Sequence, residues 1–344
     1  MAQPKQDLVQ TARAMVADGR GILAADESSS TMSKRLKSVG IPSDIETRRV
    51  YRQLLFTTPG LGEFISGAIL FDETIRQAAD DGTPFPTVLE KQGIMPGIKV
   101  DTGAKSLPGS SGEKVTEGLD WLGDRLPEYV SMGARFAKWR AVIQIGDGIP
   151  TTKCIHANAH AMARYAAHCQ EAGLVPIVEP EVLVDGDHTI ERCAEVSEVT
   201  LRHHFDELAT QGVVLEAMVL KPNMVMPGTD CPQQASVEEV AETTVRTMQR
   251  VVPAAVPGIV FLSGGQDAYR ATEHLNAMNR LGPHPWSLSF SYARALQGPT
   301  MNAWQGEPDN AAEAQKVLAH RARCNGAATT GDYTEDMEKE YAGT

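Results

Sequence analysis

The chain has no C-x-x-C pair: its five cysteines, Cys154, Cys169, Cys193, Cys231 and Cys324, are scattered. This excludes a zinc ribbon or a dithiol redox motif and fits a reduced, cytosolic protein. A basic excess is also missing. Thirty-two Lys and Arg stand against forty-four Asp and Glu, a formal charge of -12. That balance argues against a general binder of nucleic acid or anionic membrane, so any basic site must be local. The start "MAQPKQDLVQTARAMVADGR" holds no apolar segment of signal length, and nothing downstream approaches a membrane span, so a cytoplasmic protein without membrane contact is expected. Neither a proline- or serine-rich linker nor an internal repeat divides the 344 residues, which one large barrel or two ordinary domains would accommodate.

What the sequence does contain is alternation of two kinds of segment. Short extended runs, "GILAAD", "FISGAILF", "GIKV", "RFAKWRAVI", "LVPIVEPEV", "VVLEAMVLK", "GIVFLSG" and "WSLSFS", are separated by helical patterns such as "TKCIHANAHAMARYAAHCQEAG" and "SVEEVAETTVRTMQRVV". Eight strands in βα order predict an α/β fold, a single (β/α)8 barrel over residues 1–330 with an N-terminal helix. A polar C-terminal tail, 331–344, is expected to be mobile. The alternative, an open doubly wound sheet, lacks its Gly-rich turn, since "AADESSS" follows the first strand.

Charged residues recur where such runs end. Asp26 closes the first, Lys99 and Asp101 the third; Lys138 and Arg140 lie on the fourth, Glu179 and Glu181 on the fifth, and Lys221 ends the sixth. Period-two spacing puts Lys138 with Arg140, and Glu179 with Glu181, on one face of each strand. In "AMVLKPNMV", Pro222 disfavours helix at Lys221, so this lysine should close an extended segment on the apolar face of Leu215, Ala217 and Val219. A single such lysine is more often structural. Four consecutive strands ending in ionisable groups are instead a costly way to stabilise a core, which favours an active site. Two neighbouring lysines lower one another's proton affinity, as does desolvation, and a neutral amine at Lys221 is a nucleophile toward a carbonyl.

The segments "GILAADES", "KRL", "YRQLLFTTPGLGEFISGAILF", "GIKVDTG", "AKWRAVI", "VPIVEPEVLVDGDH", "LKPNMVMPG", "FLSGGQ" and "SFSYARALQ" resemble the class I fructose-bisphosphate aldolases over nearly the whole chain. The resemblance implies that Lys221 forms a Schiff base and needs no metal or other cofactor. It gives Glu179 the acid/base role in carbinolamine dehydration, with Glu181 in support and Lys138 assisting. Asp26 would handle the hydroxyl whose deprotonation breaks the C3–C4 bond; how it shares proton work with Glu179 stays open. Ser28, Arg35, Arg48, Lys99 and Arg140 would bind the sugar and its distal phosphate, though Arg35 and Arg48 read equally as solvated helix residues. Ser263, Gly264, Gly265, Ser291 and Arg294 would form the cup for the other phosphate. The partners implied are a phosphorylated sugar and a homotetramer of the chain itself.

Other motifs point elsewhere. "LSGGQ" is also a signature of ABC-type ATPases, but no G-x-x-x-x-G-K-[ST] accompanies it. His156 and His160 have the i,i+4 spacing of helical metal ligands, which would suit a zinc-dependent class II aldolase; they should face outward, and His203 and His204 point apart, so no metal is expected. Two departures from the family concern phosphate. Ala293 in "SYAR" stands where a glycine is usual, and Thr31 where a serine is usual. The family tail commonly ends in tyrosine, whereas Tyr341 is followed by "AGT". Its phenol is expected to relay the proton at the carbon next to the imine. Preference for fructose 1-phosphate or sedoheptulose bisphosphate, and a non-catalytic barrel scaffold, are the competing readings.

Overall fold

A computed structural model of the protein describes residues 3–342, with side chains from 7 to 339. The barrel strands are β1 (Gly21–Ala25), β2 (Ile65–Leu70), β3 (Met95–Lys99), β6 (Phe136–Ile143), β7 (Val175–Val182), β8 (Val219–Leu220), β9 (Gly258–Phe261) and β10 (Ser287–Tyr292). They close in parallel in chain order, β10 pairing back onto β1. An antiparallel hairpin, β4 (Gly103–Ser106) and β5 (Lys114–Glu117), stands between β3 and β6 and was not foreseen. It is tied down by the Thr116 hydroxyl, which donates to Arg140 O at 2.7 Å, and by Thr116 N–H, which donates to Asn158 Oδ1 at 3.1 Å.

The outer helices begin where short polar side chains cap them. Thr151, Ser236 and Asp267 each accept from a backbone N–H in the first turn of the helices Thr152–Glu171, Val237–Val251 and Ala268–Arg280. Among the described residues no helix is long and apolar enough to cross a membrane.

Two apolar regions divide the molecule. The larger lies between the sheet and the surrounding helices. The smaller fills the barrel itself: Ile22, Ala24, Ile69, Phe136, Val175, Ile177, Val219 and Val260 pack with Leu8, Ala12, Met15 and Val16 of the N-terminal segment, which closes the lower end. The Ser66 hydroxyl fixes that closure by donating to Met15 O at 2.6 Å. Along each strand the same inward face then changes character. Val175 and Ile177 are followed by Glu179 and Glu181, Phe136 by Lys138 and Arg140, Val219 by Lys221, and Ala24 by Asp26. An apolar floor therefore carries an ionisable layer directly above it.

Two differences from expectation concern chain ends and strand length. Residues 215–217 form a 3-10 turn, so the extended segment before Lys221 is only two residues long. The C-terminal segment contains a helix, Glu335–Ala342, and Tyr333 is buried, its N–H donating to Asn276 Oδ1 at 3.0 Å. The anchors are one buried tyrosine, Met337 beside it and a few polar contacts, too little apolar surface for composition alone to reveal. The side chain of Tyr341 lies outside the described residues.

The floor depends on missing side chains. Phe136 spreads over Gly97 and Gly67, and a Cβ added at Gly97 would lie 2.2 Å from the ring, far inside contact distance. Gly97→Ala should therefore destabilise the protein by about 1–3 kcal/mol, the range for overpacking a close-packed core. A thermal melt with an unchanged midpoint would contradict this account of the floor.

Candidate active site

Lys221 is fixed from both sides of its short strand. Its N–H donates to Val178 O at 2.8 Å on one side, and on the other Pro222, which has no N–H to give, accepts from Leu262 N–H at 3.2 Å. Asn223 continues the ladder with its side chain: Oδ1 accepts from Val182 N–H at 3.0 Å, and Nδ2 donates to Ser197 Oγ at 3.3 Å. The lysine side chain is 3 % exposed. Sequence reasoning passed over Asn223, although "KPN" after a two-residue strand requires something to satisfy the backbone there.

Glu179 lies between two ammonium groups. Its Oε1 is 3.2 Å from Lys221 Nζ, and its Oε2 is 3.0 Å from Lys138 Nζ. Lys138 Nζ is in turn 2.7 Å from Asp26 Oδ2. Burial opposes charge on all four groups, and the outcome differs among them. At Lys221 burial, reinforced by Lys138, outweighs the attraction of Glu179 and Asp26, so the amine sits below the ordinary lysine range. At Lys138 burial is outweighed by Asp26, Glu179 and Asp101, so the ammonium is held well above it. The expectation that each lysine depresses the other thus holds for Lys221 alone. Burial would raise Asp26 and Glu179, but the lysines overcome it and keep both carboxylates ionised, below their ordinary values.

A cavity of about 910 Å³ opens above this cluster. It is lined by Asp26, Ser28, Arg35, Lys99, Lys138, Arg140, Glu179, Glu181, Lys221, Ser263, Gly264, Ser291 and Arg294 among the expected residues. Lys99 Nζ pairs with Asp101 Oδ1 at 2.5 Å, and Asp101 Oδ2 accepts from Arg140 N–H at 3.2 Å. Arg140 pairs with Glu181. Ser28 caps the helix Ser29–Ser38, accepting from Thr31 N–H at 3.3 Å, and its hydroxyl lies 3.1 Å from that of Thr31. Ser291 Oγ is buried without a protein partner.

Gly264 and Gly265 have φ of +56° and +84°. A Cβ at Gly265 would lie 2.9 Å from Arg294 Nη2, so the guanidinium rests directly on the glycine backbone. Burial, with Arg35 next, lowers the proton affinity of Arg294. Ala293 has φ −103°, outside the left-handed region that favours glycine, so the position does not require the glycine usual in the family.

Arg48 and Gly265 are not in the cavity wall. Arg48 is bound by Glu73 through Nε at 2.8 Å and Nη2 at 2.7 Å, with Glu73 also accepting from Ser29 Oγ at 3.4 Å. A network that sequence reasoning missed lies behind Asp26. Glu27 pairs with Arg35 and, at 2.6 Å, with buried Arg52, while Gln297 Nε2 donates to Ala24 O at 2.6 Å. Its only sequence signal is a second acid beside Asp26. The histidine pairs are elsewhere. His156 and His160 face different oxygens of Glu207 at 3.3 and 3.1 Å on the outer helices, and His204 is buried and pushed down to about 4 by burial.

The family model for class I fructose-bisphosphate aldolase matches residues 7–344. A probable fructose-bisphosphate aldolase class 1 of Xylella fastidiosa is 59 % identical over 95 % of this chain and 98 % of its own length. Fructose-bisphosphate aldolase 1 of Toxoplasma gondii is 53 % identical over 95 % of this chain and 91 % of its own. This chain belongs to the class I fructose-bisphosphate aldolases. The fold agrees: fructose-bisphosphate aldolase of Plasmodium falciparum, solved with TRAP and a small-molecule inhibitor, superposes with a TM-score of 0.96 at 50 % identity, covering 97 % of each chain. The family works through a lysine Schiff base without a metal, and its substrate is a phosphorylated sugar. Both Thr31 and Ala293, the departures from its phosphate loops, are accommodated locally as described.

Lys138 holds Lys221 toward its neutral form, so Lys138→Met should raise the proton affinity of Lys221. Its modification by trinitrobenzenesulfonate, followed by peptide mapping, should then move to higher pH. An unmoved profile would separate the two lysines electrostatically.

Proposed function

We propose that Lys221 is the residue with which this aldolase opens fructose 1,6-bisphosphate. The observation that carries the reading is Glu179 in contact with two lysines of opposite tendency, one poised to lose its proton and one to keep it. The neutral amine of Lys221 attacks the C2 carbonyl, and the oxygen gaining charge meets the Lys138 ammonium. Glu179, ionised at rest and supported by Glu181, takes the proton that the attacking nitrogen sheds and returns it to the carbinolamine oxygen, which leaves as water once a second proton arrives from solvent, and the imine forms. Asp26 takes the proton of the C4 hydroxyl. The C3–C4 pair then flows into the imine, releasing glyceraldehyde 3-phosphate and leaving an enamine. Protonation at C3 and hydrolysis return dihydroxyacetone phosphate and free Lys221.

Six further cations line the cavity with this cluster: Arg76 and Arg125 at its rim are held by their own partners, and Arg35, Lys99, Arg140 and Arg294 stand nearer the charged layer. The last four suit a substrate with two phosphates better than one with a single phosphate. We assign the distal phosphate to Ser28, Arg35, Lys99 and Arg140, with Arg48 reaching it only by leaving Glu73. The other phosphate goes to Ser263, Gly264, Gly265, Ser291 and Arg294, where buried Ser291 Oγ and a resting guanidinium support an anion site. Assembly as a homotetramer and a cytoplasmic location follow the family.

We also assign the C3 proton to Tyr341, which reaches the cavity when residues 331–344 move as a segment and leave their contacts with Asn276 and Arg321. Borohydride reduction in the presence of dihydroxyacetone phosphate should attach the adduct to Lys221 and leave Lys221→Met unlabelled; an adduct elsewhere sinks the assignment. Tyr341→Phe should trap the same adduct while slowing proton exchange on dihydroxyacetone phosphate. Exchange at the wild-type rate would remove the tyrosine from the mechanism and leave Lys221 untouched.

A further inference from the structure

A second cluster of chemically capable side chains lies outside the cavity wall. The helix Ala311–Ala328 presents His320 and Cys324 one turn apart, and the C-terminal helix brings Glu338 onto them. His320 Nε2 is 3.0 Å from Glu338 Oε2 and 3.6 Å from Cys324 Sγ. All three ligand atoms lie within 4.8 Å of one another. A tetrahedral zinc ion with ordinary bond lengths separates nitrogen from oxygen by about 3.3 Å and nitrogen from sulfur by about 3.6 Å. These two separations are near those of ligands, and the third, from Cys324 Sγ to the Glu338 carboxylate, lies within 4.8 Å against about 3.6 Å around an ion, with Cys324 buried and the other two mostly so.

The donor chemistry is selective. A thiol, an imidazole and one carboxylate oxygen form a set for a borderline-soft ion and suit neither magnesium nor calcium. Glu338 is also oriented from behind: Oε1 accepts from the Tyr333 hydroxyl at 3.0 Å and pairs with Arg321, leaving Oε2 turned toward His320 and Cys324.

We propose that His320, Cys324 and Glu338 bind one zinc-class divalent cation, with solvent as the fourth ligand, and that the ion staples the C-terminal helix to the body of the protein. On binding, the thiol proton passes to solvent and the sulfur bonds the metal. The neutral imidazole gives its Nε2 lone pair, and Glu338 Oε2 exchanges its contact with His320 for the ion. The ion takes no part in aldol chemistry. The site rests on these three side chains and is independent of the role given to Lys221, whereas an ion that holds Glu338 also restrains the segment that carries Tyr341.

Cobalt(II) titrated into chelator-treated full-length protein should produce a thiolate-to-metal absorption band that saturates at one equivalent per chain and is bleached by zinc. Cys324→Ser should lose the band, and His320→Ala, which keeps the thiol, should weaken its binding. Zinc at ten times its Kd should slow carboxypeptidase removal of the terminal residues about tenfold in the wild type and not in Cys324→Ser, as expected when binding competes with opening. No band in the wild type, or an equal band in Cys324→Ser, overturns the site. Binding with an unchanged digestion rate overturns the staple.

Discussion

One buried carboxylate shared between two ammonium groups is the constraint on which the rest of the site depends. Taking Glu179, Lys138, Lys221 and Asp26 out of water together is unfavourable for each charge alone. It is tolerated because every carboxylate has a lysine within 3.2 Å and Lys138 has two carboxylates. The arrangement is unequal by construction. Lys138, with two anionic partners, keeps its proton, while Lys221 has one direct partner and a cation beyond it. An amine inclined to lose its proton and a fixed positive charge therefore arise from the same residue type only because of where the strands put them.

Those positions follow from a pattern that is legible in the chain. Inward-facing residues recur every second position, so apolar Val175 and Ile177 oblige Glu179 and Glu181 to point the same way, and Phe136 does the same for Lys138 and Arg140. The strand count, their order and the ends carrying charge could be read from that spacing alone. The nine motifs quoted from the sequence then pointed to the family, and the family model and relatives agree.

What was not legible depends on contacts between distant segments. Nothing local distinguishes the fate of Lys138 from that of Lys221, because the difference comes from Asp26, just after β1, and Asp101, just after β3. Arg48 reads as a phosphate ligand, yet Glu73, twenty-five residues away, holds it through two hydrogen bonds. The strand before Lys221 was read as extended from Leu215, but the chain turns there and Asn223 completes the ladder instead. The C-terminal segment looked like unattached polar chain because only Tyr333 and Met337 bring apolar surface to the core, and Glu338 and the Tyr333 backbone dock through the polar partners Arg321 and Asn276.

The helix that closes the lower end of the barrel has a consequence for proton traffic. Among the described residues Leu8, Ala12 and Met15 pack against the apolar floor, so the ionisable layer faces the cavity and not the lower end of the barrel. Asp26, Glu179, Lys138 and Lys221 all line that cavity and exchange protons with water through it. A molecule that fills the cavity therefore displaces the water with which they exchange. While it stays bound, a proton given up by one of the four groups is taken most readily by another of them or by the molecule itself.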